Sequence, residues 1–273
     1  MQEARDLAQA AYAAWQEWSH ASQEQVDRVC AAMAEAGYHA SERLGRLAHE
    51  ETGYGVAAHK KLKNEFGSRM VWESIRELKT VGVIRHDPER RLYEIAWPMG
   101  VVAALIPSTN PTSTAFFKAL IAVKARNAIV ASPHPAAARC TFEAIDTMRA
   151  AAESAGAPKG LISCMRQVSL QGTQELMTHR RTALILATGG SAMVRAAHST
   201  GKPAYGVGPG NVPVYVDRSA DVEKAARYIV ASKAFDCSTI CATEQAVIAD
   251  RPIAARLAER MQAEGAYFCN EAE

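Results

Sequence analysis

The sequence is short of most features that would place it at a glance. Its six cysteines (Cys30, Cys140, Cys164, Cys237, Cys241 and Cys269) are too scattered for a disulfide framework, and no Cys-x-x-Cys pair or Cys/His set has zinc-ligand spacing. Reduced thiols, a cytoplasmic setting and no metal centre are therefore expected. There is little excess charge: 31 basic against 29 acidic residues, a net charge of +2. Such a balance leaves no electrostatic footprint for nucleic acid or a membrane surface. The one compact basic cluster, His59-Lys60-Lys61-Leu62-Lys63, reads as a solvated helix face. Long apolar runs are missing too. Val101–Ile106, bracketed by Pro98 and Pro107, falls far short of the roughly 20 residues a membrane helix needs. The charged start Met1-Gln2-Glu3-Ala4-Arg5-Asp6 leads into an amphipathic helix and does not read as a signal peptide. No repeat or low-complexity segment is present, so 273 residues predict one large or two ordinary globular domains.

The first 80 or so positions have helical periodicity. Leu7, Ala10, Ala11, Ala14, Trp15 and Trp18 form one apolar stripe, and Ser22-x-x-Gln25 is a capping box opening a second helix through Val26, Val29 and Met33. Further helices are predicted over Leu44–Glu51 and Lys61–Leu78, separated by Thr52-Gly53-Tyr54-Gly55, with Met70, Trp72 and Ile75 in the core. The period then changes. Val81–Arg85, a turn at Asp87-Pro88-Glu89, and Arg91–Ala96 read as a hairpin. Beyond it, apolar strands (Val101–Ile106, Ala128–Ala131, Leu161–Met165, Ala183–Ala187) alternate with helices (Ser113–Lys124, Ala137–Ala155, Gln174–Met177, Ala192–Ser199). Continuous apolar strands separated by helices predict a parallel sheet covered on both faces. Gly201-Lys202-Pro203 to Gly210-Asn211 reads as a connector before a new strand, Val212–Val216.

Sheets of this kind bind ligands beyond the carboxyl ends of their strands, and three loops there are distinctive. Ile106-Pro107-Ser108-Thr109-Asn110-Pro111-Thr112 offers the Asn110 amide either to a developing oxyanion or to an ordinary helix cap. Ala187-Thr188-Gly189-Gly190-Ser191 joins a strand to a helix whose N-terminus suits a phosphate, without being the Gly-x-Gly-x-x-Gly fingerprint. Gly206-Val207-Gly208-Pro209-Gly210-Asn211 either exposes backbone to a ligand or turns a corner. A fourth stretch, Phe235-Asp236-Cys237-Ser238-Thr239-Ile240-Cys241-Ala242-Thr243-Glu244-Gln245, sets a cysteine at the mouth of a strand among hydroxyls, where a nucleophile or a small buried hydrophobe would both fit.

Together with Lys124-Ala-Arg-Asn-Ala-Ile-Val, Ser132-Pro-His-Pro and Ser199-Thr-Gly-Lys-Pro-Ala-Tyr-Gly-Val-Gly, these stretches resemble the aldehyde dehydrogenase superfamily. The resemblance is closest to its CoA-acylating branch, the acetaldehyde dehydrogenase half of bifunctional alcohol/aldehyde dehydrogenases. It implies an α/β protein: a Rossmann-like NAD(P)-binding domain over residues 1–210 with N-terminal helices and an oligomerisation hairpin at 83–96. Residues 211–273 would then begin an α/β catalytic domain. It further implies that Cys241 attacks the aldehyde, that Asn110 and the Cys241 backbone N–H hold the oxyanion, and that CoA takes the acyl group. Thr188, Gly189, Gly190, Ser191 and Gly208 would line the dinucleotide, with Ser132, Pro133 and His134 toward the adenosine.

NAD is expected over NADP, since a 2′-phosphate wants a basic partner and Ser132 and His134 supply at most a titratable one. Hydrolytic members carry a Glu-Leu-Gly-Gly-Lys glutamate; the matching Tyr205–Gly210 stretch has no carboxylate, which favours thiol over water as acyl acceptor. Two departures stand out. Phe235-Asp236 is followed by Cys237-Ser238 where the acylating pattern has Asn-Gly, and the chain stops at Glu273 where family members continue. The expected partners are a small aldehyde, CoA and, at full length, copies of itself. The expected place is the cytoplasm or a bacterial microcompartment. The alternatives are an inactive nucleotide-binding module that pairs with a full-length relative, and a hydrolytic aldehyde dehydrogenase.

Overall fold

The computed structural model describes residues 1–270. The chain divides into two compact units, one of Met1–Gly53 with Ala57–Gly208, the other of Tyr54–Val56 with the chain from Pro209 onward. Among the described residues, no helix is long and apolar enough to cross a membrane.

The larger unit opens with helices α1 (Gln2–Trp18), α2 (Gln23–His39) and α3 (Ser41–Thr52). In α1 the small residues Ala4, Ala8 and Ala11 are fully buried, which lets the helix lie close on the sheet strands it meets. The capping box at Ser22 forms in full: its hydroxyl accepts from the Gln25 N–H, and the Gln25 side chain accepts from the Ser22 N–H. Helix α4 (Ala57–Glu65) runs into a π-helical turn, Phe66–Met70, then α5 (Val71–Ile75). That turn shifts the helical register. Met70, expected in the core, is exposed instead, while Trp72 and Ile75 pack against it.

Hairpin strands β1 (Gly82–Asp87) and β2 (Leu92–Ala96) pair antiparallel, with a bulge between Val83 and Arg85. Their apolar residues Val83, Ile84, Leu92, Tyr93 and Ile95 are exposed. The main sheet has five strands in the order β5-β4-β3-β6-β7: β3 (Val101–Ile106), β4 (Ala128–Pro133), β5 (Ile162–Cys164), β6 (Thr182–Thr188) and β7 (Ala204–Val207). Every pairing is parallel. All residues of β3 and β4 are buried, because crossover helices α6 (Pro111–Lys124), α7 (Ala138–Ser154), α8 (Leu170–Thr178) and α9 (Ser191–His198) cover such a sheet. Strand β7 lies inside the stretch read as a connector. Its glycine and exposed tyrosine hide the pattern, and edge pairing with β6 makes it a strand.

The smaller unit pairs β8 (Pro213–Val216) with β9 (Ala246–Ala249) in parallel. Helices α10 (Val222–Ala234) and α11 (Arg251–Ala263) pack on them around Val216, Val222, Ala226, Ile229 and Leu257.

Candidate active site

Strand order places the first cluster. From β3 the chain steps to β4 and β5 on one side, then returns to β6 and β7 on the other. The loops leaving β3 and β6 therefore diverge at a topological switch point, where open α/β sheets bind their ligands. These are the Pro107–Asn110 and Gly189–Gly190 loops.

Asn110 stands at the N-cap position of α6, with Pro111 at the first helical position, yet its side chain makes no capping bond. Its Oδ1 accepts from Lys63 Nζ at 2.5 Å and its Nδ2 donates to Thr109 Oγ1 at 3.1 Å. The simple cap is thereby excluded. Lys60 Nζ donates to the Thr109 carbonyl at 3.1 Å, and Asn64 Oδ1 accepts from the Thr112 hydroxyl at 2.6 Å. One helix, α4, thus braces the loop at Thr109 and Asn110 and the start of α6 at Thr112. Lys60 and Lys63 are only 2% and 7% exposed, so the basic cluster is not the solvated face that its composition suggested. Lys60 and Lys63 turn inward, Lys61 stays partly exposed, and Leu62 faces outward.

Lys118 of α6 went unnoticed in the sequence because nothing local marks it. It is 4% exposed and donates to the carbonyls of Leu105 and Leu186, at 2.7 and 2.8 Å, tying together the ends of β3 and β6. Burial pushes its ammonium down from 10.5 to about 7, while the carbonyl acceptors favour the charged form. With the folded value below the unfolded one, the native protein holds fewer protons between those two limits, and stability rises with pH there. Below pH 7 the burial penalty is fully present. The melting temperature of the protein relative to Lys118→Met should therefore climb between pH 7 and pH 10. A flat difference would show an ammonium charged throughout.

On the other loop, Gly190 is the N-cap of α9 and holds extended backbone. A Cβ added there would meet nothing within 4 Å, and one at Gly189 would make only ordinary contact with Met193. Open space above a glycine backbone, at a helix N-terminus beside the switch point, fits a phosphate of a dinucleotide. Thr188 ends β6 and Ser191 is exposed. A Cβ at Gly208, just beyond β7, would also meet open space. Ser132 and Pro133 close β4, but the Ser132 hydroxyl is buried and bonded to Thr173 Oγ1 at 2.8 Å. His134 is exposed, and its Nδ1 accepts from the Ala136 N–H.

In the smaller unit, Cys241 is exposed on a turn ahead of β9. The turn is tightly specified. Asp236, Cys237 and Ser238 all have positive φ (51°, 53° and 61°), a left-handed run that non-glycine residues resist. The Asp236 carboxylate is fully buried and accepts from the Val56 N–H at 2.7 Å and the Thr239 hydroxyl at 2.5 Å. Ser238 Oγ and Thr243 Oγ1 lie 3.1 Å apart. A Cβ on Gly210 would stand 2.5 Å from the Cys241 carbonyl oxygen, so the backbone of the 210 segment lies directly against the cysteine.

The thiols sort cleanly. Cys30, Cys140 and Cys164 are buried, and burial pushes Cys30 and Cys164 up to about 12 and Cys140 upward as well. They stay protonated and inert. Brief iodoacetamide treatment of the native protein should modify Cys237, Cys241 and Cys269 and spare those three, as read by peptide mass mapping. Labelling of Cys30 would contradict the burial.

Comparison with known proteins follows the same lines. The family model described as "Aldehyde dehydrogenase family" matches residues 1–267. Aldehyde-alcohol dehydrogenase 2 of Entamoeba histolytica is 46% identical over 252 residues, which is 92% of this chain and 29% of that protein. The crystal structure of an acetylating aldehyde dehydrogenase from Geobacillus thermoglucosidasius superposes with a TM-score of 0.95 at 54% identity, covering 99% of this chain and 60% of that one. A propionaldehyde dehydrogenase from Rhodopseudomonas palustris, solved with bound CoA and an acylated cysteine, superposes with a TM-score of 0.85 at 31% identity, covering 98% of this chain and 61% of that one. The chain thus spans less than two thirds of the length of each of these relatives.

Proposed function

The chain belongs to the aldehyde dehydrogenase family, and from that premise we propose that it carries the coenzyme-binding and nucleophile-bearing part of a CoA-acylating aldehyde dehydrogenase. The observation that carries the reading is the Cys241 turn. The thiol is exposed while the backbone of the cysteine lies against Gly210, and the Tyr205–Gly210 stretch leading up to that contact contains no carboxylate. Without a general base from this stretch, water is a poor nucleophile toward a thioester, whereas a thiol needs little help.

Cys241 Sγ, as thiolate, adds to the aldehyde carbonyl carbon, and the C=O π electrons move to oxygen. The family resemblance assigns that oxyanion to Asn110 Nδ2 and the Cys241 backbone N–H. A nicotinamide dinucleotide, when bound, supplies the acceptor for the hydride that leaves the same carbon. Cys241 is then a thioester, and the CoA thiolate displaces it, forming acyl-CoA and restoring the Cys241 thiolate. Gly189, Gly190 and the first amides of α9 would take the pyrophosphate, with Thr188, Ser191 and Gly208 beside it. Pro133 and His134 would border the adenosine. Ser132 contributes there through its place at the strand end, its hydroxyl being bonded to Thr173. NAD is the proposed coenzyme, because no lysine or arginine stands within Ser132–His134 to meet a 2′-phosphate. Residues 1–210 would be the coenzyme domain and 211–273 part of the catalytic one, with the exposed hairpin as a contact between copies.

The test is NADH formation by the purified protein from acetaldehyde and NAD, with and without CoA. Turnover that requires CoA supports the acylating reading. Free acid formed without CoA would replace it by the hydrolytic one, and a nucleotide-dependent rise in melting temperature with no turnover would reduce the chain to a binding module.

A further inference from the structure

Three features lie outside the chemistry described so far. An open polar groove lined by Arg43, Arg46, Arg139, Glu42, Glu50 and Glu143 has its arginines paired with Glu42 and Glu143. The exposed apolar stripe Leu62, Phe66 and Met70 has nothing in the structure to say what covers it. The third feature, the inward-facing edge of α4, goes further.

From it we infer that Lys63 is a positioning residue for the reaction, fixing which end of the Asn110 amide faces the substrate. The inference rests on Asn110 being the oxyanion donor. An oxyanion requires the N–H end of the amide, and a side-chain amide can rotate by half a turn at little intrinsic cost. Lys63 removes that freedom. An ammonium has donors only, so it can pair with Oδ1 and not with Nδ2; the rotated amide would set donor against donor. The 2.5 Å contact is a charge-assisted hydrogen bond, shorter and stronger than a neutral one. It also draws electron density toward Oδ1, which strengthens the opposite N–H groups as donors.

The rest of α4 holds Lys63 in place. Lys60 fixes the neighbouring Thr109 carbonyl, and Asn64 fixes Thr112. The Asn64 amide is anchored in turn on the Ser41 carbonyl at 3.0 Å. The π-helical turn that follows brings Gly67 so near the start of α6 that a Cβ there would lie 2.7 Å from the Ser113 carbonyl oxygen. Lys63 is 7% exposed, so water competes poorly for its ammonium. A buried lysine with a side-chain oxygen as acceptor, one helical turn from another buried lysine that bonds the same loop, is an expensive arrangement. Orientation of Asn110 accounts for it.

The experiment compares the protein with Lys63→Met, Lys63→Gln and Asn110→Ala, and with the Lys63→Met/Asn110→Ala double variant. Two readouts are used. One is kcat and KM for acetaldehyde and NAD in the presence of CoA. The other is the Asn110 side-chain NH₂ signal in selectively ¹⁵N-asparagine-labelled protein, assigned by its loss in Asn110→Ala. Lys63→Met should lower kcat roughly 10- to 100-fold, most of the loss expected on removing an oxyanion donor, with KM for NAD unchanged. It should add nothing in the Asn110→Ala background, and it should shift the Asn110 amide signal. Lys63→Gln retains a donor for Oδ1 and should recover part of both effects, which also serves if Lys63→Met folds poorly. An unmoved Asn110 signal overturns the inference, as do additive losses in the double variant. If the unmodified protein forms no NADH at all, it is the acylating reading that fails, and the amide signal still decides the role of Lys63.

Discussion

Cys241→Ser is expected to abolish CoA-dependent NADH formation, by on the order of 10⁴-fold or more, the scale seen when the nucleophile of a covalent mechanism is removed. The physical reason is the ionisation of the attacking atom. A thiol gives an appreciable fraction of thiolate near neutral pH, whereas a serine hydroxyl needs a general base to attack. Cys241 is exposed and contributes no core volume, so the substitution should leave stability within about 0.5 kcal/mol. Loss of turnover would then be chemical, not structural. Cys237→Ser provides the matched control. It changes the other exposed thiol of the same loop, four positions earlier, and should keep most of the activity. If Cys241→Ser turned over normally while Cys237→Ser did not, the nucleophile would be Cys237 and the assignment would have to move.

The second large effect is structural and falls on the strap that holds the nucleophile turn. Gly55 has φ +64°, and a Cβ added there would lie 2.0 Å from Asp236 Oδ1. That overlap cannot be relieved by a small shift, since the Asp236 carboxylate is fully buried and bonded to the next residue's N–H, that of Val56. Gly55→Ala would incur about 1–2 kcal/mol for the left-handed backbone, and expulsion of the carboxylate would leave buried donors unmet, about 1–3 kcal/mol more. A total of about 2–5 kcal/mol reaches the severe end for a single substitution. Tyr54–Val56 should detach from the smaller unit, seen as a lower melting transition and faster proteolysis after residue 53. Gly53→Ala is the comparison. Its φ is also positive at +67°, but its Cβ would meet nothing within 4 Å, so only the backbone cost applies. Equal losses in the two variants would show that the Asp236 contact is unimportant.

Sequence alone determined most elements of the larger unit and their order, the edge strand β7 excepted. Six-residue apolar strands separated by amphipathic helices admit little but a covered parallel sheet, and the Ser22 capping box is a local hydrogen-bond arrangement that needs no distant partner. The places of the loops at Asn110, Gly189–Gly190 and Cys241, after a strand or before one, were likewise legible, because each is bounded by an apolar run. What only the tertiary structure decided was the fate of charge and of side-chain direction. The Lys60–Lys63 cluster was read as solvated because a run of lysines usually is. The burial of Lys60 and Lys63 depends on carbonyl and amide acceptors at Thr109 and Asn110, nearly fifty positions away, which no local pattern reports. The same holds for Lys118, whose acceptors lie on two strands that become neighbours only through the sheet order, and for Met70, turned outward by a π-helical turn. Apolar periodicity is a property of neighbouring residues and survives in the sequence. The satisfaction of a buried charge is a property of segments brought together by folding, and it does not.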